Sequence, residues 1–160
     1  MRGPLLSGLA LLLLLASCSA GGVRPLPGLN QQLAKLNGSK SPSLAGAWLA
    51  FLAPRQAGRL QVQLIDLSRA APVPLAGLNR PDAQPISVAV DQRGEQLAVV
   101  RQREDRTELL LYRRSLQSSQ VVPMEPAGVP RSLSFSANGR WLAVEVSRSG
   151  IWQIDLLELP

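Results

Sequence analysis

Histidine is absent from the 160 residues, and cysteine occurs once. Without imidazole there can be no Ser-His-Asp or Cys-His nucleophile and no histidine ligand for a metal. With Cys18 as the only thiol, no intramolecular disulfide can form. No glycine-rich phosphate loop is visible. The densest apolar run, from Leu5 to Ala16, falls short of the roughly 18–20 residues that a membrane-spanning helix needs. Acidic residues are outnumbered, 11 against 17 Lys and Arg, giving a formal charge of +6. The basic residues are dispersed, so they suit a soluble surface charged by arginine as well as one lying near anionic lipid or envelope polymer. Nucleic-acid binding needs more than dispersed arginines. The carboxylates leave a two-carboxylate hydrolase formally open. Most of them, however, sit at turn or strand-end positions, where solvated acids are ordinary. The expectation is a chain that is not an enzyme and uses no cofactor or metal.

What is present begins at the N-terminus. Met1-Arg2 places a positive charge before the apolar run, the layout of a secretory signal. Leu15-Ala16-Ser17-Cys18 follows and resembles the bacterial lipobox, in which small residues precede a cysteine that is lipidated and then becomes the first residue. The resemblance implies cleavage between Ser17 and Cys18, lipidation of Cys18, and residues 1–17 as a lipoprotein signal peptide. One lipid chain anchors only marginally, but lipoproteins of this kind carry a diacylglyceryl group and usually an N-acyl chain. Ser19 stands where inner-membrane retention signals typically have Asp. The expected location is therefore the cell envelope, on the periplasmic side, with the outer membrane favoured over the inner.

Residues 18–40 read as a lipidated tether, with recurring Ser, Gly, Pro, Asn and Lys and no strong periodicity. From residue 41 the chain is strand-like. Leu60-Gln-Val-Gln-Leu64 alternates with period two. Gln96–Val100, Glu108–Tyr112, Trp141–Val146 and Ile151–Leu159 are rich in Val, Ile, Leu and aromatics and are bounded by turn residues. No long helical stripe follows the signal. The fold class read from this pattern is all-β.

A repeat is also visible. Ala47-Trp48-Leu49-Ala50-Phe51, Glu95-Gln96-Leu97-Ala98-Val99 and Arg140-Trp141-Leu142-Ala143-Val144 match at offsets of 48 and 45 residues. Gly46, Gly94 and Gly139 precede these strands, where a tight hairpin needs a residue free to take positive φ. A polar turn and a further strand follow each one. The spacing predicts three meanders, at about residues 41–76, 85–124 and 131–159.

The third repeat, Ser134-Phe-Ser-Ala-Asn-Gly-Arg-Trp-Leu-Ala-Val144 continuing through Arg148-Ser-Gly-Ile-Trp-Gln-Ile-Asp155, resembles the β-propeller repeat of TolB-like proteins. The second keeps Asp91, Gly94 and Leu97-Ala98-Val99, and the first has lost its Asp-Gly turn. The resemblance covers about residues 41–159 and implies three antiparallel blades of a partial propeller. It also implies partner binding through blade loops, as in the Tol-Pal envelope system, though this chain lacks that family's N-terminal domain and most of its blades. The functional expectation is a non-catalytic protein-interaction module, with a structural lipoprotein binding anionic cell-wall polymer as the alternative.

Propellers usually have four to eight blades. Three blades therefore call for completion, and a homodimer would supply six. Leu26-Pro-Gly-Leu-Asn30 recurs as Leu75-Ala-Gly-Leu-Asn79. From this, Val73-Pro-Leu75 is expected as the outer strand of the first blade, and Val23–Leu26 as the outer strand of the last. The candidate partner surface comprises Arg101, Arg103 and Arg106 in the most basic repeat, Arg101 and Arg103 sharing strand parity, with Trp48 and Trp141 at one shared repeat position. Inter-blade packing would explain the tryptophans equally well, and a solvated sheet edge the arginines.

Overall fold

A computed structural model describes residues 22–160. Cys18, Ser17 and the apolar run before them lie outside the described residues.

The first blade consists of β1 (Lys40–Ala45), β2 (Trp48–Pro54), β3 (Leu60–Asp66) and β4 (Ala71–Val73). The second consists of β5 (Ala83–Val90), β6 (Gln96–Arg103), β7 (Arg106–Arg113) and β8 (Ser118–Val122). The third has β9 (Val129–Phe135), β10 (Trp141–Arg148) and β11 (Ile151–Glu158). Each blade is an antiparallel meander in chain order, so the three sheets have four, four and three strands. The all-β expectation therefore holds for the body of the chain.

The period-two pattern decides how the sheets stack. Along β6, Leu97 and Val99 point to one face, and Ala98 and Val100 point to the other. The first pair joins Ala50, Leu52, Val62 and Leu64 of the first blade, with Val90, Leu110 and Tyr112, in one buried cluster. The second pair joins Leu142, Val144 and Val146 of the third blade in another. The middle blade thus has one face toward its predecessor and one toward its successor. In every repeat the Leu of the Leu-Ala pair points backward and the Ala forward. The inner strands carry the stacking, with β5 against β1, β2 and β3 and β9 against β5, β6 and β7.

Polar groups fasten the inner edge. The backbone N–H of Val90 donates to Ser43 Oγ at 3.1 Å, so a β1 side chain serves a strand of the next sheet. The side chain of Asn79 brackets Val62, accepting from its N–H at 2.7 Å and donating to its carbonyl at 2.9 Å. A loop side chain here substitutes for ladder partners that β3 lacks at that point.

The N-terminal segment departs from expectation in two ways. Pro27–Ala34 forms a helix, α1, with proline in its first turn. Leu29 and Leu33, one helical turn apart, lie on the backward face of the first blade against Phe51, Ala53 and Ile65. Residues assigned to a tether therefore cap the stack. Val23–Leu26, in turn, forms no strand, and Val23 is 100% exposed. The repeated Leu-x-Gly-Leu-Asn segment is not a repeated structure: its first copy lies largely in α1, and its second buries Leu78 in a loop. The outer strand of the first blade also ends at Val73, short of Leu75.

Candidate functional site

The hairpin turns set the repeat position occupied by Trp48, Gln96 and Trp141. In the third blade, Ser136 Oγ accepts from the N–H of Trp141 at 3.0 Å. In the second, Asp91 Oδ1 accepts from Gln96 N–H at 3.0 Å and Glu95 N–H at 2.7 Å. Asp91 therefore does the work of Ser136 and does not correspond to Asn138. Both turns place a glycine at positive φ, Gly94 at +65° and Gly139 at +72°.

The residue after each turn points forward, toward the next blade. Trp48 meets the Gly94 turn of the second blade, where a Cβ on Gly94 would lie 2.2 Å from the indole. Arg114 completes this cover, its guanidinium 4.9 Å from the ring centroid while it donates to Gly94 O at 2.8 Å. Trp48 is thus held in an inter-blade joint. Trp141 occupies the same position in the third blade, but among the described residues no glycine turn or arginine covers it.

Register extends this observation across the whole forward face of the third blade. Trp141 pairs with Glu158, Ala143 with Leu156, Glu145 with Ile154 and Ser147 with Trp152. Cross-strand partners share a face, so Trp141, Trp152, Ile154 and Leu156 point together. Their exposures are 42%, 47%, 67% and 68%. Scattered exposed apolar residues are ordinary, but four on one sheet face form a patch. Arg131 lies over Trp152 at 5.0 Å and 3.9 Å from Glu145, and Arg140 reaches Glu158 at 2.8 Å. Trp152, Ile154 and Leu156 were absent from the expected surface. The alternation of Ile151–Glu158 could have indicated them once both of its faces were followed.

The expected arginine patch is divided. Arg101 is buried on the face toward the first blade, with Nε 2.6 Å from Glu108 Oε1. It belongs to an internal ion pair and is not available to a partner. Arg103 shares its face, as parity implied, and lies 3.0 Å from Asp82. Arg106 is exposed at the next hairpin. A cleft of about 320 Å³ opens between the first two blades, lined by Arg55, Arg59, Arg80 and Arg101 with Asn79 and Leu78. Arg80 donates to Asp82 at 2.9 Å, and Arg59 donates to the carbonyl of Pro81. The Asp82 carboxyl is pulled down to about 2, chiefly by the Arg80 hydrogen bond. Of the four lining arginines, Arg80 and Arg101 are therefore neutralised internally by carboxylates, whereas Arg59 meets only a neutral carbonyl. Among the described residues no three candidate metal ligands come together.

In the third blade, Arg148 grips Asp155 with Nη1–Oδ1 at 2.9 Å and Nη2–Oδ2 at 2.5 Å, and also donates to Pro126 O. These hydrogen bonds lower the Asp155 carboxyl from its ordinary value. Such a group stabilises the fold above the unfolded value of about 3.9 and loses that contribution as pH falls through the lowered folded value. Asp155→Asn should therefore be less stable than the parent chain at neutral pH, and the two should converge in acid. Urea midpoints measured from neutrality downward test this, and a constant gap at all pH values would refute the linkage.

Comparison with known protein families and with curated proteins finds no match. Among solved structures, the fold is similar to TolB from Acinetobacter baumannii, with a TM-score of 0.58 and 18% identity over 77% of this chain. The match spans 30% of that protein's length. The likeness is one of fold: three stacked meanders corresponding to part of a larger chain.

Proposed function

We propose that this chain is a non-catalytic protein-interaction module of the cell envelope, exported and anchored through lipid on Cys18. The observation that carries the binding reading is the forward face of the third blade. Trp48 is roofed by the next blade, whereas the equivalent Trp141 lies open beside Trp152, Ile154 and Leu156. An apolar patch of this kind gains most by excluding water against another surface. The arginine route to an anionic polymer is weaker, because Arg101, Arg80 and Arg148 are already paired with carboxylates.

The anchor and the binding face are tested separately. Cys18→Ser should remove the protein from the membrane fraction and leave an uncleaved or soluble form. Recovery of this variant in membranes at parental level and mature size would overturn the anchoring. For the face, a photoreactive residue at Leu156 should give a discrete adduct in intact cells. The same residue at Leu116, an exposed position on the second blade, should not. Equal labelling from both positions, or none from either, would remove the basis for the interaction reading.

A further inference from the structure

From the interaction face just described, on which this argument rests, we infer that the occupant is a second copy of this chain, docked face to face about a two-fold axis through its third blade. Three observations lead there.

The first is that the two ends of the stack differ. The backward face of the first blade is partly covered by α1, with Leu29 and Leu33 turned onto Phe51, while Leu44 on the same face stays exposed. The side of α1 turned away from the blade carries Asn30, Gln31 and Gln32, all exposed. A six-bladed ring from two copies would require the third blade of each to reach the backward face of the other's first blade, which α1 occupies. Head-to-tail stacking would likewise have to displace α1 from its contacts with Phe51, Ala53 and Ile65. What a second copy can still offer is its own third-blade face. Such an isologous contact is self-complementary and closes after two copies.

The second is charge. The proposed cleavage before Cys18 removes Arg2 and leaves 16 basic against 11 acidic residues, so two copies carry like net charge and repel at long range. The third-blade face holds Arg131 with Glu145 and Arg140 with Glu158, one acid for each base. It is a locally neutral surface on a cationic protein. Under a two-fold axis, the Arg131–Glu145 pairs of the two copies can meet and extend each other instead of opposing like charges.

The third is area. Two half-exposed tryptophans with Ile154 and Leu156 present roughly 450 Å² of apolar surface per copy, within the range of the largest patches on monomers, which are often functional. Two such faces and their polar rims approach about 1,200 Å², the lower bound of standard interfaces. Packing one sheet on the other, as in a β-sandwich, covers this surface. Pairing the two β11 edges would instead join the sheets side by side and leave both apolar faces wet, so face-to-face docking is favoured.

The test uses the full chain purified in mild detergent, with mass measured by light scattering across a concentration series. The expected result is a transition to twice the chain mass in the micromolar range. The double variant Ile154→Glu with Leu156→Glu should weaken association at least 100-fold while keeping its melting transition. Leu116→Glu should change nothing. A chain that stays monomeric at 100-fold higher concentration, or a dimer unaffected by the double variant, overturns the proposal. If the purified chain is monomeric yet Leu156 yields an adduct of a different mass in cells, the interaction face stands and the second copy does not.

Discussion

Truncation of Leu142 to alanine is expected to cost about 2–5 kcal/mol of folding stability, and Leu97→Ala about the same. Both side chains are fully buried and occupy one position of the repeat. Leu97 lies between the first and second blades with Leu52, Leu64 and Tyr112. Leu142 lies between the second and third with Val100, Leu109 and Leu111. Removing either opens a cavity that two packed sheets cannot readily close, so the cavity term adds to the lost transfer energy. Leu49 takes the equivalent position in the first blade but meets α1 and is only partly buried. Its truncation should cost clearly less. Denaturant melts of the three variants test the assignment together. A loss below about 0.5 kcal/mol at Leu97 or Leu142 is the size expected of a surface substitution and would contradict the blade stacking.

The second large effect is expected at Gly94. Its φ is +65°, and an added Cβ would lie 2.2 Å from Cδ2 and 2.4 Å from Cε2 of Trp48. The left-handed conformation costs an alanine about 1–2 kcal/mol. Forcing the indole aside adds about 1–3 kcal/mol. Gly58 separates the two contributions, because its φ is +71° and nothing lies within 4 Å of its added Cβ. Gly58→Ala should show the backbone cost alone, and Gly94→Ala should exceed it by the steric part. In a Trp48→Ala background that excess should vanish, a non-additivity readable from a double-mutant cycle. If Gly94→Ala and Gly58→Ala cost the same, the contact between Trp48 and the turn is not a tight joint.

The repeat was legible because blade stacking constrains both faces of the central strand. Leu49, Leu97 and Leu142 face backward and the following alanines face forward, so the Leu-Ala pair recurs with each blade. The glycine turns were legible for a backbone reason, since few residues accept their φ. The helix was not. Only Leu29 and Leu33 mark its apolar side, and eight residues rich in Asn and Gln are too short to be stable without tertiary packing. What forms α1 is the exposed backward face of the first blade, a long-range circumstance that no local window contains. The arginines were half legible. Parity placed Arg101 and Arg103 on one face correctly, but the direction of that face depends on the neighbouring sheet, and Glu108 across the strand completes the burial. Trp48 and Trp141 make the same point most simply. Their local sequences are nearly alike, and the difference between a partly buried joint and an open surface lies in what comes next along the stack.

That stack runs in one direction, and its extensive sheet-to-sheet contacts join consecutive blades. Its energetics therefore approximate those of a short linear array, in which each unit is stabilised by its own hairpins and by coupling to its neighbours. The middle blade has two couplings and each end blade has one. A local defect at Leu97 or Gly94 is felt at the first joint, while one at Ala98 or Val100 is felt at the second. The position of a residue along the array, rather than its depth alone, then governs how far its loss propagates. The helix at one end and the bare tryptophans at the other are the two boundary conditions of that array.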